Sequence, residues 1–377
     1  MKKILLLATM LVPGIIFAQK KNMAPKTYDL IIGSYTSGKA KGISVYRFYT
    51  ESGRVAYLNE IRDVSNPSYL TVSKDNKFVY AVNENDAGEV SSFAFEPKTG
   101  ALKFINKQST LGGAPCFVSI DKKQKNLFIA NYSGGNIAVL PLNEDGSIAP
   151  ATQTIRDSGH GPNKDRQEKA HVHTAVLSPD EKYVLYTDLG TDKINITKYK
   201  GGKSNPIVPA DPAFVKVTPG YGPRHLAFSA DKKNMYLITE MGSSVVVFDY
   251  NNGKPKQKQD VTLLADGFKG TTGAADMHIS PDGRFLYATN RGDANDITIF
   301  SVDPETGMLT FVDRRPTNGK GPRNFVIDPT GSFLLIANQN SDSVSIFRID
   351  KNTGKLSETY NRIDIGNPVC LQFAPAQ

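Results

Sequence analysis

A few arginine, histidine and glutamate side chains stand where a repetitive sequence departs from its own pattern. The stretch from Gly222 to Glu240 opens with Gly-Pro-Arg-His and closes with Tyr-Leu-Ile-Thr-Glu, and its departures are Arg224 and Glu240. In corresponding segments His173 and Arg323 take the place of Arg224, while Arg291 directly follows the Asn that elsewhere fills the place of Glu240. His171, His225 and Asp276 flank the same positions. Three arginines can clamp a carboxylate or phosphate in bidentate fashion or stabilise an oxyanion developing on a carbonyl. Either His173 or Glu240 can act as general base toward water, with a pKa set by the arginine neighbours. The loop before His171, Asp157 to Lys169, is unusually long; such loops tend to be functional, and Arg166 and Gln167 are expected to cover the site. His171-Val-His173 puts two rings on one strand face, but no third ligand stands at useful spacing, so neither a metal nor a cofactor is expected. Ser133-Gly-Gly135 is not a phosphate loop, since no helix follows it.

What must position these side chains is a repeat. Segments beginning at Asn66, Ala114, His171, Gly222, Ala274 and Gly321 share one plan, with a spacing of roughly 46–56 residues, in the range of propeller blades. Each has a short apolar strand, a turn of the Ser-Pro-Asp-Gly type and a second strand rich in aromatic and β-branched residues, such as Phe285-Leu-Tyr-Ala-Thr289. A third, alternating strand and a Thr-Gly or Asp-Gly turn into a fourth complete it. Four antiparallel strands make a blade. Thr27 to Ile61 holds strands two to four with no first strand, and Asn367 to Phe373 is a first strand with nothing after it. Joining the two removes exposed sheet edges and predicts an all-β, seven-bladed propeller closed by its C-terminal strand. In such a ring the start of strand one and the end of strand two meet at one mouth of the central channel, where a concave site forms. His278, one step further in, is expected in the core. The Asn residues at the strand-two ends are expected to bond loop backbone.

The formal charge is +8, with lysine and arginine scattered along the chain. That pattern describes a solvated surface rather than a nucleic-acid interface and still favours an anionic small substrate. Residues 1–18 read as a signal peptide: Lys2 and Lys3, then an apolar run from Ile4 to Phe17, then Ala18 before the cut. The run is too short for a membrane span, which needs about 20 residues. An exported, periplasmic protein is expected, its propeller occupying 19–377; were residues 1–18 not a leader, the expected location would be the cytoplasm. Cys116 and Cys370 fall on non-adjacent units and are expected as buried thiols. Nothing in the sequence sets an oligomeric state.

With these residues in place the chain resembles the seven-bladed propeller lactonases, which include propeller-type 6-phosphogluconolactonases and fungal carboxy-muconate cyclases. The likeness runs from Tyr28 to Phe373 and is carried by Ala130-Asn-Tyr-Ser-Gly-Gly-Asn136, Asn163-Lys-Asp-Arg-Gln167 with His171-Val-His173, Gly222-Pro-Arg-His225, Ser280 to Arg291 and Gly321-Pro-Arg323. The resemblance implies hydrolysis of a sugar lactone, 6-phospho-D-glucono-1,5-lactone giving 6-phosphogluconate in the pentose phosphate pathway. It also implies that a His, an Arg, a Glu and a second Arg act on the lactone, which carry over to His173, Arg224, Glu240 and Arg291. Arg323, His171, His225, Arg166 and Gln167 are then expected around the substrate. Because a phosphorylated pathway intermediate is cytosolic, the leader points to another lactone or aldonic derivative as well. The cyclase branch implies lactone formation as an alternative, and an exported binding propeller is a non-catalytic one.

Overall fold

The computed structural model describes residues 26–376; the expected leader, 1–18, lies outside the described residues. Seven four-stranded antiparallel sheets form in chain order. In the first blade Pro368–Pro375 pairs with Thr27–Ser34, which continues to Gly42–Tyr49 and Arg54–Arg62. The orphan C-terminal strand therefore completes the N-terminal blade, as its sequence predicts. Among the described residues the only helix is one 3-10 turn, Gln339–Ser341, and no helix is long and apolar enough to cross a membrane.

Blades stack face to face, so middle strands are covered on both sides. Asn126–Asn131 and Phe333–Asn338 are buried at every residue, which explains their near-continuous apolar runs. The outer strand Arg54–Arg62 is by contrast partly or fully exposed throughout. Seven apolar clusters fill the seven contacts between neighbouring blades. The one joining blades one and two packs Ile31, Ile43 and Val45 against Leu70, Val79 and Phe93. Each such buried side chain contributes roughly 1.5–3 kcal/mol relative to exposure. The turns behave as their residues require. Ser280 Oγ donates to Asp282 at 2.6 Å and accepts from the Phe285 amide at 3.0 Å, while Gly283 takes φ +77, a conformation that favours glycine. Both cysteines are buried and unpaired.

One irregularity recurs at the inner strands. Register breaks between Pro115 and Phe117, Val172 and Thr174, Pro223 and His225, Ala274 and Met277, and Pro322 and Asn324. The skipped residues are Cys116, His173, Arg224, Ala275 with Asp276, and Arg323. A bulge leaves its extra residue outside the ladder and re-aims its side chain. The repeat thus turns a set of strand positions into a collar around the channel mouth. Further in, residues such as Ser119, Val176, His278 and Gln372 keep partial exposure. His278 is accordingly not a core residue: its side chain is 37% exposed. It lies edge-on to Phe325, with Nε2 3.0 Å from Asp276. The physical reason is that the inner strands border an open channel at this level instead of packing against one another.

Candidate active site

A cavity of about 280 Å³ at the channel mouth is lined by Glu84, Cys116, Tyr132, Arg166, His173, Glu240, Arg291 and Arg323. Small-molecule sites usually span roughly 300–1,000 Å³, so this one suits a compact ligand. A shallower recess shares Arg166, Glu240, Arg291 and Arg323 and extends outward to Thr272, Gln339 and Asn340. A larger cavity of about 540 Å³ between blades seven and one contains no histidine. Its charges are partly spent on each other, Lys39 with Asp342 at 3.6 Å and Arg362 with Asp364 at 2.7 Å. Convergent chemistry therefore favours the smaller cavity.

Glu240 is the hub. At the ends of the other second strands, Asn83, Asn131 and Asn338 donate to loop carbonyls (Ser65, Thr110 and Thr317), and Asn290 accepts from the Gly273 amide. Asp188 similarly accepts from the His171 and Gly190 amides. Glu240 alone turns inward to cations. Its Oε1 accepts from Arg166 at 2.6 Å, and its Oε2 lies 3.0 Å from Arg224 Nε and 3.1 Å from Arg291. Burial by itself would raise the Glu240 carboxyl, but Arg291, Arg224, His173 and Arg166 together hold it well below the usual carboxylate range. It stays ionised with both oxygens engaged.

Each arginine is placed by a different element. Arg224 comes from a bulge and lies beneath Glu240, outside the cavity lining, 2% exposed. It donates to the Ala275 carbonyl and to His225 Nε2 at 3.2 Å. Because Arg224 can only donate and Asp276 only accept, His225 is the neutral tautomer with its proton on Nδ1, 2.8 Å from Asp276. Burial, then Arg224, pushes His225 down to about 4. His225 is therefore a support under Arg224 rather than a cavity residue. Burial with Arg291 brings Arg224 itself down to about 10, against the pull of Glu240, so it remains a cation at neutral pH. Arg291 is anchored through Nε to the Gly273 carbonyl at 2.9 Å. Arg323 lies over the Tyr35 ring, 5.4 Å from its centroid, and 3.7 Å from Glu84.

Arg166 arrives from the long loop. Asn163 Oδ1 accepts from the Asp165 and Arg166 amides, turning the chain. Gln167 is fully buried, with its amide donating to the Leu189 carbonyl and accepting from the Asn163 amide. A Cβ on Gly161 would come within 2.4 Å of that carboxamide, so the close approach needs glycine. Gln167 thus pins the loop and does not reach the cavity. His171 is likewise behind the lining: it stacks on Tyr132 at 4.4 Å, with Nδ1 on the Tyr132 carbonyl and Nε2 at Glu168.

His173 differs from all of these. It lines the cavity, Tyr132 meets it edge-on at 5.7 Å, and its Nδ1, itself buried, has no hydrogen-bond partner among the described residues. Burial first, then Arg224, His225 and Arg323, push its pKa well below the ordinary histidine value, against Glu240. A neutral imidazole lining a cationic cavity can take a proton from water while the guanidinium groups hold developing negative charge.

Glu84 and Tyr132 line the cavity although sequence reasoning did not single them out. A signal was present: both immediately follow the template Asn, at Asn83 and Asn131, as Arg291 follows Asn290. Among the described residues no three His, Cys, Asp or Glu side chains are grouped to hold a metal ion.

The long loop is tied down at its start by Asp157, which accepts from Tyr186 at 3.0 Å and Asn195 at 2.7 Å. Burial, then the nearby Asp188, pushes the Asp157 carboxyl up to about 7. The folded chain therefore keeps a proton that an unfolded aspartate releases near ~3.9. Stability due to this group falls as pH rises from about 4 to about 7 and is level above. Asp157→Asn is expected to flatten the melting temperature across that window, as read by calorimetry at a series of pH values. An unchanged slope would count against the assignment.

The profile of the family described as Lactonase, 7-bladed beta-propeller, matches residues 29–373. A 6-phosphogluconolactonase of Bacillus subtilis is 34% identical over 91% of this chain and 97% of its own length. One of Formosa agariphila is 36% identical over 91% and 99%. The structure of a Pseudomonas aeruginosa periplasmic gluconolactonase superposes with a TM-score of 0.90 at 41% identity, covering 93% of this chain and all of that one. Blade count, ring closure and sequence likeness over nearly the whole described chain agree: the protein belongs to the seven-bladed β-propeller lactonase family.

Proposed function

We propose that this protein hydrolyses a six-carbon sugar lactone, 6-phospho-D-glucono-1,5-lactone or its unphosphorylated counterpart, to the open-chain acid. The observation that carries the reading is His173, a neutral imidazole facing a cavity ringed by guanidinium groups. In this scheme His173 takes a proton from water as the water oxygen adds to the lactone carbonyl. The electron pair pushed onto the carbonyl oxygen meets Arg291 and Arg323; one such donor is typically worth about 2.7–4 kcal/mol. Collapse breaks the bond to the ring oxygen, which recovers the proton from the imidazolium. The product carboxylic acid ionises and is held by the same arginines until release. Glu240 is a poor base here, since both its oxygens accept from arginine; its part is to hold the guanidinium groups in place.

The relatives bearing the name 6-phosphogluconolactonase support the phosphorylated substrate, and the periplasmic gluconolactonase supports the plain one. The latter also accords with export directed by residues 1–18. Acid release at constant pH on a panel of phosphorylated and plain sugar lactones tests the reading. Release above spontaneous hydrolysis is expected for at least one six-carbon lactone, and background rates on all of them would defeat it. Turnover of plain lactones alone would remove the phosphorylated substrate and leave the lactonase standing.

A further inference from the structure

We infer that Glu84, held by Tyr35 and Arg323, is the hydroxyl-recognising residue of the cavity and makes it select polyhydroxylated lactones over unsubstituted ones. The inference rests on the lactonase reading and concerns the part of the ligand away from the reacting carbonyl. A sugar lactone presents both acceptors, at its carbonyl and ring oxygen, and donors, at its hydroxyls. Most of the cavity suits only the acceptors, because Arg166, Arg291 and Arg323 can only donate. Three lining groups have strong acceptor atoms: Glu84, Glu240 and His173. Glu240 has both oxygens on arginines, and His173 is assigned to the reacting water.

Glu84 remains. Its Oε2 accepts from the Tyr35 hydroxyl at 2.8 Å and lies 3.7 Å from Arg323, while Oε1 has no hydrogen-bond partner among the described residues. Burial first, and then Glu84, raise the Tyr35 phenol far above its ordinary value against the opposing pull of Arg323, so it stays a donor and fixes the carboxylate. A rigid carboxylate with one oxygen free toward a small cavity is built to receive hydroxyl donors. It also imposes a penalty when a ligand brings none, since this partly buried acceptor, 17% exposed, is then covered and left unpaired.

The test compares kcat/KM for D-glucono-1,5-lactone with that for δ-valerolactone in the wild type, Glu84→Gln, Glu84→Met and Tyr35→Phe. The ratio is expected to fall by about 10–100-fold in Glu84→Met and by less in the other two, chiefly through KM for the sugar lactone. A ratio within about 2-fold of wild type in a Glu84 variant that melts normally would overturn the inference. Should the wild type hydrolyse neither lactone, the lactonase reading fails separately. Recognition is then read by calorimetric binding of the stable, uncharged D-glucono-1,5-lactam against δ-valerolactam. The same loss of preference in the Glu84 variants is expected, and an unchanged preference, or none in the wild type, would overturn it.

Discussion

Replacing His173 with alanine is expected to lower kcat by about 10²–10⁴-fold, the usual range for loss of a general base. KM should change far less, because the arginines that hold the ligand do not depend on the imidazole. The pH dependence makes the expectation specific. Protonation abolishes the base, and His173 titrates well below the ordinary histidine value of ~6.5. The wild type should therefore stay active through neutral pH, with its acidic limb below that value, and the variant should lose that limb. Folding is linked in the same direction. The folded chain refuses a proton that the unfolded chain accepts near ~6.5, so His173 erodes stability as pH falls below that point, and alanine removes the effect. Constant-pH titration of rates and calorimetric melting read both. Retention of more than about a tenth of kcat, well outside the range for a lost base, would eliminate His173 as the base.

Glu240→Ala is expected to be costly in two ways. It strips Arg224, which is 2% exposed, of its anionic partner, and breaking a buried pair from one side typically costs about 3–5 kcal/mol. It also frees Arg166 and Arg291 from the positions in which they face the cavity, so kcat/KM should drop by more than about 100-fold, as for a lost charged hydrogen-bond hub. Glu240→Gln keeps hydrogen-bonding atoms and should lie between wild type and alanine in both respects. Urea unfolding and steady-state kinetics measure the two losses. If Glu240→Gln were as stable as wild type yet lost the acidic limb of the pH profile, Glu240 and not His173 would be the base.

The architecture was readable because it is repeated. Alternation, turn chemistry and the matching half-blades at the two ends determine seven four-stranded blades and their closure, since only one pairing leaves no orphan strand. Departures from the repeat likewise marked Arg224, Glu240, His173, Arg291 and Arg323, four of which line the cavity while Arg224 lies under it. The roles of the marked residues were not readable. Sequence places His171, His225 and Gln167 beside the cavity equally well. Only the fold shows them as supports, one stacked behind Tyr132, one under Arg224 and one pinning the loop. Glu84 and Tyr132 follow the template Asn as Arg291 does, but that local position gains meaning only in the closed ring, which turns it toward the cavity.

The sequence by itself thus determined the blades, their closure and the rim on which the unusual side chains gather, because strand period and turn residues are local properties. Tertiary structure decided which of those side chains are free. Two candidate bases stand level until the fold clamps Glu240 between three arginines and leaves His173 as a neutral imidazole lining the cavity. Proton affinity depends on burial and on charges a few ångströms away, and those neighbours come from blades four to seven and from a long loop that meet only in the closed ring.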